Sequence, residues 1–307
     1  MGEPFDIRGL IPAVLTPLTA DGELHLAMVE RQAEFLRAEG VTAVFVGGTT
    51  GEFSSLSIEE RLALASRWLE VGRAYGLAVL VHVGANCLKD SQLLAVNAQR
   101  QGAIGIALLS PHYFKPATPA DLVACCRQVA LAAPGTPFYF YHIPALTGVH
   151  FPLTEWIEQA CEQIPHFAGV KFTHTDLLDF QLLLQAGQGR WRVFYGVDEQ
   201  LLAAWVLGAQ AAVGSSYNFA TPLFRRMLHS AEQGDLMTAR QQQAQAARLI
   251  RRMLTMGYLA AAKELLRWRG LDLGPVRLPL RNLTAEQSAQ FRHWIEQELL
   301  DVAPPLH

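Results

Sequence analysis

The stretches PFYFYHIP (137–144) and FAGVKFTH (167–174) are two short apolar runs separated by an amphipathic segment long enough to form a helix. Both runs are rich in aromatic and β-branched residues and show no polar face. Runs of this length and composition are typical of strands that are buried on both sides of a parallel sheet. The two runs and the segment between them therefore predict one strand–helix–strand unit.

The same alternation extends in both directions along the chain. Six further apolar runs have this character: GLIPAVLTPL (9–18), VTAVFVGG (41–48), LAVLVHVGA (77–85), AIGIALLSP (103–111), WRVFYGVD (191–198) and AAVGSSYN (211–218). Helix starts are indicated by Ser57 with Glu60 at the capping-box position, by Thr118 before Pro119, and by Leu153. Gly40, Gly76, Gly102 and Gly208 fall near the expected helix ends. Eight strands alternating with eight helices predict the α/β class, as a closed (β/α)₈ TIM barrel over residues 1–235.

From about Thr238 onward the pattern contains helices only. QQQAQAARLIRRMLTMG, YLAAAKELLRWRG and TAEQSAQFRHWIEQELL follow one another without a low-complexity linker. Each is too short to bury a core of its own. We therefore expect residues 236–307 to form a helical C-terminal extension that packs on the barrel, within a single structural domain.

Composition excludes several classes of protein. Half of the 307 residues are hydrophobic, 17% are charged, and the net charge of −3 argues against a nucleic-acid partner. No uncharged apolar run reaches 18 residues, so no membrane span is expected. The N-terminal MGEPFDIRGL lacks the apolar segment of a secretory signal. The expected location is the cytoplasm.

Cysteine and histidine give no sign of a metal centre. The four cysteines form no C-x-x-C pair and are expected to be free thiols. His82, His112, His142 and His150 do not have the spacing of a ligand set. We expect neither a metal nor an organic cofactor.

The strongest candidate for chemistry is Lys171. Of the four lysines in the chain, it alone lies inside an apolar strand. Burial disfavours the ammonium form and lowers the pKa, and a neutral amine can form an imine with a carbonyl substrate. The alternative is a buried lysine that pairs with a carboxylate for stability. Thr173 lies two positions further along and shares the same strand face.

The fifth strand offers Tyr141 and His142. Neighbours in a strand point to opposite faces, so only one of the two is expected to face the barrel interior. A phenol near an imine can relay protons. On its own, however, a strand tyrosine is more often a core aromatic whose hydroxyl is hydrogen-bonded.

Polar residues also mark the ends of the second, seventh and eighth strands. The turn that contains Thr49 and Thr50 has glycines that let backbone N–H groups approach a carboxylate, although it is not a P-loop. Asp198 and Glu199 can accept hydrogen bonds from a polyhydroxylated ligand, or can simply open a helix. The segment GSSYN (214–218) has the same polar character. In a barrel enzyme these strand ends meet at the active-site face.

Taken together, these motifs resemble one family. GTTGE at 48–52, YHIPALTGV at 141–149, GVKFTHTDLLDF at 169–180, GVDEQLL at 196–202 and GSSYN at 214–218 occur in the order and spacing of the N-acetylneuraminate lyases. These lyases belong to the pyruvate-dependent aldolases, which also include dihydrodipicolinate synthase. The resemblance extends from about Gly9 to Asn218, and more loosely to the end of the chain.

The resemblance implies a role for each matching residue. Lys171 would form the Schiff base, and Tyr141 would shuttle protons while the carbon–carbon bond breaks. Thr49 and Thr50 would hold the keto-acid carboxylate. The residues expected to contact the sugar hydroxyls are Thr173, Gly196, Asp198, Glu199 and Ser215. Tyr113, in the more variable PHYFKP segment, would complete the site of a neighbouring subunit in a homotetramer.

One departure separates branches of the family. Dihydrodipicolinate synthases carry an arginine in the loop after the catalytic tyrosine, where it grips a second carboxylate; here that position is Leu146. Without this cation a distal carboxylate loses a charge-assisted bond of about 1.5–3 kcal/mol. Asp198 and Glu199 would also repel it. The resemblance therefore implies reversible cleavage of sialic acid (N-acetylneuraminate) to N-acetylmannosamine and pyruvate.

Three other functions remain open from the sequence. One is a related aldolase or dehydratase that acts on another 2-keto-3-deoxy sugar acid and shares Lys171 and Tyr141. Another is a non-catalytic sensor of keto acids, although a pure binding protein need not keep a nucleophile. The last is a metal-dependent aldolase, which would be sensitive to EDTA.

Overall fold

The computed structural model describes residues 7–298 of the chain. Residues 1–6 lie outside the described part. They belong to the N-terminal segment in which the sequence predicts no secretory signal. Leu299 and Leu300, at the end of the last predicted helix, also lie outside the described part.

Eight parallel strands form the centre of the protein, as predicted. Their bounds are β1 Gly9–Pro12, β2 Ala43–Val46, β3 Ala78–His82, β4 Gly105–Leu109, β5 Phe138–His142, β6 Phe167–Phe172, β7 Arg192–Tyr195 and β8 Ala211–Gly214. They are hydrogen-bonded in the order β1-β8-β7-β6-β5-β4-β3-β2. A parallel bridge between Ala13 and Phe45, with the Val14 N–H donating to Phe45 O at 2.9 Å, closes the ring between β1 and β2. The fold is a (β/α)₈ TIM barrel.

Helices follow the strands around the outside of the barrel. Their bounds are α1 Met28–Ala38, α2 Ile58–Tyr75, α3 Leu88–Arg100, α4 Pro119–Ala130, α5 Pro144–Thr147, α6 Leu153–Gln163, α7 Leu177–Gly187, α8 Leu201–Val206 and α9 Thr221–Glu232. The predicted capping boxes are present at Ser57 and at Thr118. Gly76 ends α2 with a φ of 65°, and the other three glycines expected at helix ends also have positive φ.

Alternation along the strands sorts side chains into two layers. Tyr139 and Tyr141 of β5 point into the barrel interior, whereas Phe138 and Phe140 pack outward against the helices. This confirms that only one of Tyr141 and His142 faces the interior. Each predicted run was longer than its strand, mostly at the carboxyl end. The residues beyond the last ladder pairs form the loops at the mouth of the barrel.

Three further helices follow the barrel: α10 Leu236–Leu254, α11 Tyr258–Trp268 and α12 Ala285–Glu298. The first begins two residues earlier than predicted, because the Asp235 side chain accepts the Thr238 N–H at 3.0 Å and caps it. Gln243 of α10 accepts the Leu202 N–H at 2.8 Å and donates to Asp198 O at 3.2 Å. The extension is thereby attached to the carboxyl end of β7. Within residues 7–298, no helix has both the length and the apolarity needed to cross a bilayer.

Candidate active site

A cavity of about 440 Å³ opens at the carboxyl ends of the strands. Nine of the ten residues predicted from the sequence line it: Thr49, Thr50, Tyr141, Lys171, Thr173, Gly196, Asp198, Glu199 and Ser215. They come from five different strand ends. The barrel therefore brings together side chains that are far apart in the sequence.

Lys171 lies near the end of β6 and points into this cavity. Its Nζ donates a hydrogen bond to Thr173 Oγ1 at 2.8 Å and lies 3.6 Å from the centre of the Tyr141 ring. The residue is 4% exposed, and burial lowers the pKa of its amine, partly offset by Tyr141 and Asp198. In the described part of the chain, no carboxylate forms an ion pair with Lys171. The alternative of a lysine that pairs with a carboxylate for stability is thus not seen in the described part of the chain, and a buried amine of lowered pKa is chemically able to act as a nucleophile.

Tyr141 is buried beside the lysine, and its hydroxyl lies 3.2 Å from Thr49 Oγ1. The ring packs edge-on against Phe45 and His82. The phenol is thus held between the nucleophile and the turn after β2. A buried tyrosine hydroxyl needs a hydrogen-bond partner, and here Thr49 of the cavity wall is that partner.

The turn after β2 presents the two threonines to the cavity. Thr50 is buried, and its Oγ1 lies 2.6 Å from Ser215 Oγ, so the ends of β2 and β8 are bridged by hydroxyls. Thr16 Oγ1 donates to Gly51 O at 2.7 Å and so also holds the backbone of this turn. Hydroxyls and backbone amides fixed in this way can receive a carboxylate.

Asp198 is buried at the end of β7, whereas Glu199 is exposed. Asp198 Oδ2 accepts the Ser216 N–H at 2.8 Å, while Oδ1 is buried without a partner among residues 7–298. Burial raises the pKa of Asp198 to about 6, opposed by the hydrogen bonds from Ser216. A side chain at Gly214 would collide with Oδ1 of this carboxylate. The pair Asp198–Glu199 therefore presents one buried and one solvated carboxylate to the cavity.

The helical extension contributes cavity residues that the sequence analysis missed. Tyr258, the first residue of α11, lines the cavity, and its hydroxyl lies 2.8 Å from Ser216 Oγ. Ile250, Leu254 and Leu259 supply an apolar wall. The only local signal was the Gly257-Tyr258 break between two helical patterns. Leu146, which is 62% exposed, also lines the cavity, at its rim.

Tyr113 is the one predicted site residue that does not line this cavity. Its side chain is 76% exposed, and its backbone N–H donates to Asn86 Oδ1 at 3.0 Å. Its ring packs edge-on against Phe114. A role at the site of a neighbouring subunit stays a prediction.

Two of the four histidines considered as metal ligands are buried. His82 Nδ1 lies 2.8 Å from Gly47 O, and burial holds the pKa of its imidazole well below the usual value. His142 packs outward between Phe172 and His174, and burial lowers its pKa to about 3. Among the described residues, no three histidine, cysteine or acidic side chains are arranged to hold a metal ion.

Comparison with known proteins places these features in a wider group. Residues 6–298 match the model of the dihydrodipicolinate synthetase family. The N-acetylneuraminate lyase of Rattus norvegicus is 42% identical over 287 residues, covering 92% of this chain and 90% of the relative. The structure of the Proteus mirabilis N-acetylneuraminate lyase matches with a TM-score of 0.92 and 35% identity, covering 95% of this chain and 99% of that one. A Ruminococcus gnavus sialic acid aldolase, described as a catalytic lysine mutant, matches with a TM-score of 0.92 and 29% identity over 98% of both chains.

Proposed function

The chain belongs to the dihydrodipicolinate synthetase family, and from that premise we propose that it cleaves N-acetylneuraminate reversibly to N-acetylmannosamine and pyruvate. It is a carbon–carbon lyase of the class I aldolase type. The observation that carries the proposal is the buried Lys171, which has a lowered pKa and no carboxylate partner in the described chain, and which faces a cavity beside Tyr141.

The relatives support the choice of substrate. The curated relatives of vertebrate origin, at about 40–42% identity, carry the name N-acetylneuraminate lyase. The Ruminococcus gnavus aldolase has a catalytic lysine by its own description. An uncharged, hydroxyl-rich substrate tail also suits a cavity whose far end holds Asp198 and Glu199 and whose rim carries Leu146 instead of a cation.

The reaction begins with imine formation. The neutral amine of Lys171 attacks C2 of the open-chain keto acid, and the carbinolamine loses water to give a protonated imine. The lowered pKa of Lys171 raises the fraction of the amine that is neutral at any given pH. Thr173, 2.8 Å from Nζ, holds the amine on the cavity side of the strand.

The C3–C4 bond then breaks. The Tyr141 hydroxyl relays the C4-hydroxyl proton, with the substrate carboxylate as the acceptor, and the aldehyde of N-acetylmannosamine forms. The bonding electrons move into the iminium and leave an enamine, which takes the proton back at C3. Water hydrolyses the resulting imine and releases pyruvate. Because the iminium is the electron sink, this chemistry needs no metal or organic cofactor.

The remaining cavity residues bind the substrate. Thr49 and Thr50 receive the keto-acid carboxylate at the turn after β2, where fixed hydroxyls and amides face the cavity. The sugar hydroxyls are received by Thr173, Gly196, Asp198, Glu199 and Ser215.

We propose further that the enzyme is a cytoplasmic homotetramer. The exposed Tyr113 does not line the cavity of its own chain, and it would enter the site of a neighbouring subunit. Native mass spectrometry of the wild type and of Tyr113→Ala would test this. A monomeric wild type would contradict the assembly, and an active monomer would remove the need for a partner tyrosine.

The decisive experiment measures pyruvate release from N-acetylneuraminate, with and without borohydride, followed by mass analysis of the peptide that contains residue 171. Release together with a reduced adduct on Lys171 is the expected result. Trapping of pyruvate without cleavage of N-acetylneuraminate would keep the aldolase class and overturn the substrate. Absence of any adduct would overturn the Schiff-base mechanism.

A further inference from the structure

A second lysine of this protein is withdrawn from solvent. Lys263 of α11 forms an ion pair with Glu52, with 3.2 Å between Nζ and Oε1 and with side chains that are 3% and 1% exposed. Its Nζ also donates to Pro275 O, and Glu52 Oε2 accepts the Arg277 N–H at 2.9 Å. The helical extension is thereby tied to the turn after β2.

Glu52 occupies a conformation that non-glycine residues rarely adopt. Its φ of 56° and ψ of 35° lie in the left-handed region, and its N–H donates to Thr49 O at 3.0 Å. Such a conformation persists when the surrounding contacts determine it fully. Here the carboxylate contacts with Lys263 and with the Arg277 N–H add to the backbone bond to Thr49. The backbone that carries Thr49 and Thr50 is thus fixed through the side chain of Glu52.

Stability alone is a weak reason for this pair. The free-energy cost of removing two charges from water offsets most of their attraction. A protein with apolar residues of similar volume in their place is often as stable. A buried pair with defined partners does, however, select one geometry over its neighbours. Lys263 and Glu52 connect an added helix to the turn that carries the two cavity threonines, and misplaced binding groups weaken a site strongly.

We propose that Lys263 and Glu52 are positioning residues for the keto-acid carboxylate. The pair fixes the turn so that Thr49 meets the Tyr141 hydroxyl at 3.2 Å and Thr50 meets Ser215 at 2.6 Å, which keeps both threonines in the wall of the cavity that Lys171 enters. The inference rests on the proposed function, since it assumes that the carboxylate binds at this turn.

The test compares variants in their reaction with pyruvate and borohydride. The main variant is the double substitution Glu52→Gln with Lys263→Met, which removes both charges and leaves no unpaired ion behind. Its matched control is the double substitution Arg269→Met with Glu39→Gln, which removes both charges of the buried ion pair between Glu39 and the residue that follows the same helix. Neither Arg269 nor Glu39 lines the cavity. The readouts are the pyruvate concentration for half-maximal inactivation, the maximal inactivation rate, and the urea midpoint.

The double variant is expected to need about tenfold to a hundredfold more pyruvate, with the maximal rate little changed. The control with Arg269→Met and Glu39→Gln is expected to leave the pyruvate requirement unchanged, whatever it does to the urea midpoint. If the double variant does not fold, Glu52→Asp, which keeps both charges but shortens the carboxylate, carries the same test.

An unchanged pyruvate requirement in a folded variant of this pair would overturn the inference. So would an equal increase in the control with Arg269→Met and Glu39→Gln, because the effect would then follow the loss of any buried ion pair rather than the position of this one. A wild type that pyruvate and borohydride do not inactivate would instead overturn the proposed function itself, and with it the carboxylate that the turn is proposed to bind.

Discussion

A Cβ atom on Gly196 would lie 2.1 Å from Oγ1 of Thr173, the same oxygen that accepts the 2.8 Å hydrogen bond from Lys171 Nζ. Thr173, which follows β6, can therefore take its position only because Gly196, which follows β7, has no side chain. The position of the nucleophile depends in turn on Thr173. A backbone position on one strand thus controls the geometry of a reactive group on the next.

Gly196→Ala is expected to lower kcat/KM for N-acetylneuraminate by about tenfold to a hundredfold, because Thr173 must move and Lys171 loses its fixed partner. In a Thr173→Ala background the same substitution should have a much smaller effect, since the colliding hydroxyl is gone. Steady-state kinetics of the wild type, the two single variants and the double variant measure the coupling between Gly196 and Thr173. Gly135→Ala, whose Cβ would meet only the end of the Gln99 side chain, at 3.3 Å, is the control. Additive effects of the two substitutions would contradict the account.

Tyr141→Phe should separate trapping from cleavage. The nucleophile remains, so pyruvate and borohydride should still label Lys171, while cleavage falls by about 10²–10⁴-fold for lack of the proton relay. Because Tyr141 raises the pKa of Lys171, its removal should lower that pKa further. The pH at which labelling becomes half-maximal should therefore shift downward. Cleavage close to the wild-type rate would show that the phenol is a core aromatic only.

Asp198 should make stability depend on pH. Burial raises its pKa to about 6 in the folded protein, against about 3.9 for an unfolded chain. Between these values the folded state binds the proton more tightly, so raising the pH through this window lowers the free energy of unfolding by about 3 kcal/mol. The free energy of unfolding of Asp198→Asn, measured with urea at pH 4 and at pH 7, should not show the decrease that this carboxyl causes in the wild type. Glu199→Gln, which changes the exposed neighbour, should follow the wild type.

The sequence predicted the barrel and most of its mouth because both follow from local patterns. A lysine inside an apolar strand is anomalous without any knowledge of the fold, and period-two alternation places Thr173 on its face. The carboxyl ends of parallel strands then meet by topology. For Lys171 the local signal was enough to raise the hypothesis, whereas for Tyr141, Thr49 and Thr50 it was weak and the expected roles came from the resemblance to the family.

Tyr258 and Lys263 were not predicted because their positions depend on docking. The pattern YLAAAKELLRW indicates an amphipathic helix, but it does not indicate which end of the barrel that helix covers. Lys263 reads as an ordinary helical lysine until Glu52, from the turn after β2, lies against it. The strand runs were also drawn too long, since apolar sequence continues past the last ladder pair into the loops.

Leu146 lies at the cavity rim with its side chain 62% exposed, at the position where the resemblance places an arginine in dihydrodipicolinate synthases. Leu146→Arg should leave pyruvate trapping on Lys171 unchanged, because the carboxylate of pyruvate is proposed to bind at Thr49 and Thr50 on the turn after β2. The new cation should favour an acceptor aldehyde with a distal carboxylate, through a charge-assisted bond of about 1.5–3 kcal/mol.

The measurement is the ratio of kcat/KM for condensation of pyruvate with succinic semialdehyde to that with N-acetylmannosamine. That bond corresponds to a change in the ratio of about tenfold to a hundredfold or more. Asp198 and Glu199 should reduce the gain, because their charges repel the same carboxylate. Leu146→Gln, of similar length but uncharged, is the control and should leave the ratio near that of the wild type. An equal ratio in Leu146→Arg and Leu146→Gln would mean that charge at the rim does not select the substrate tail. The preference for a polyol would then rest on the carboxylates of Asp198 and Glu199.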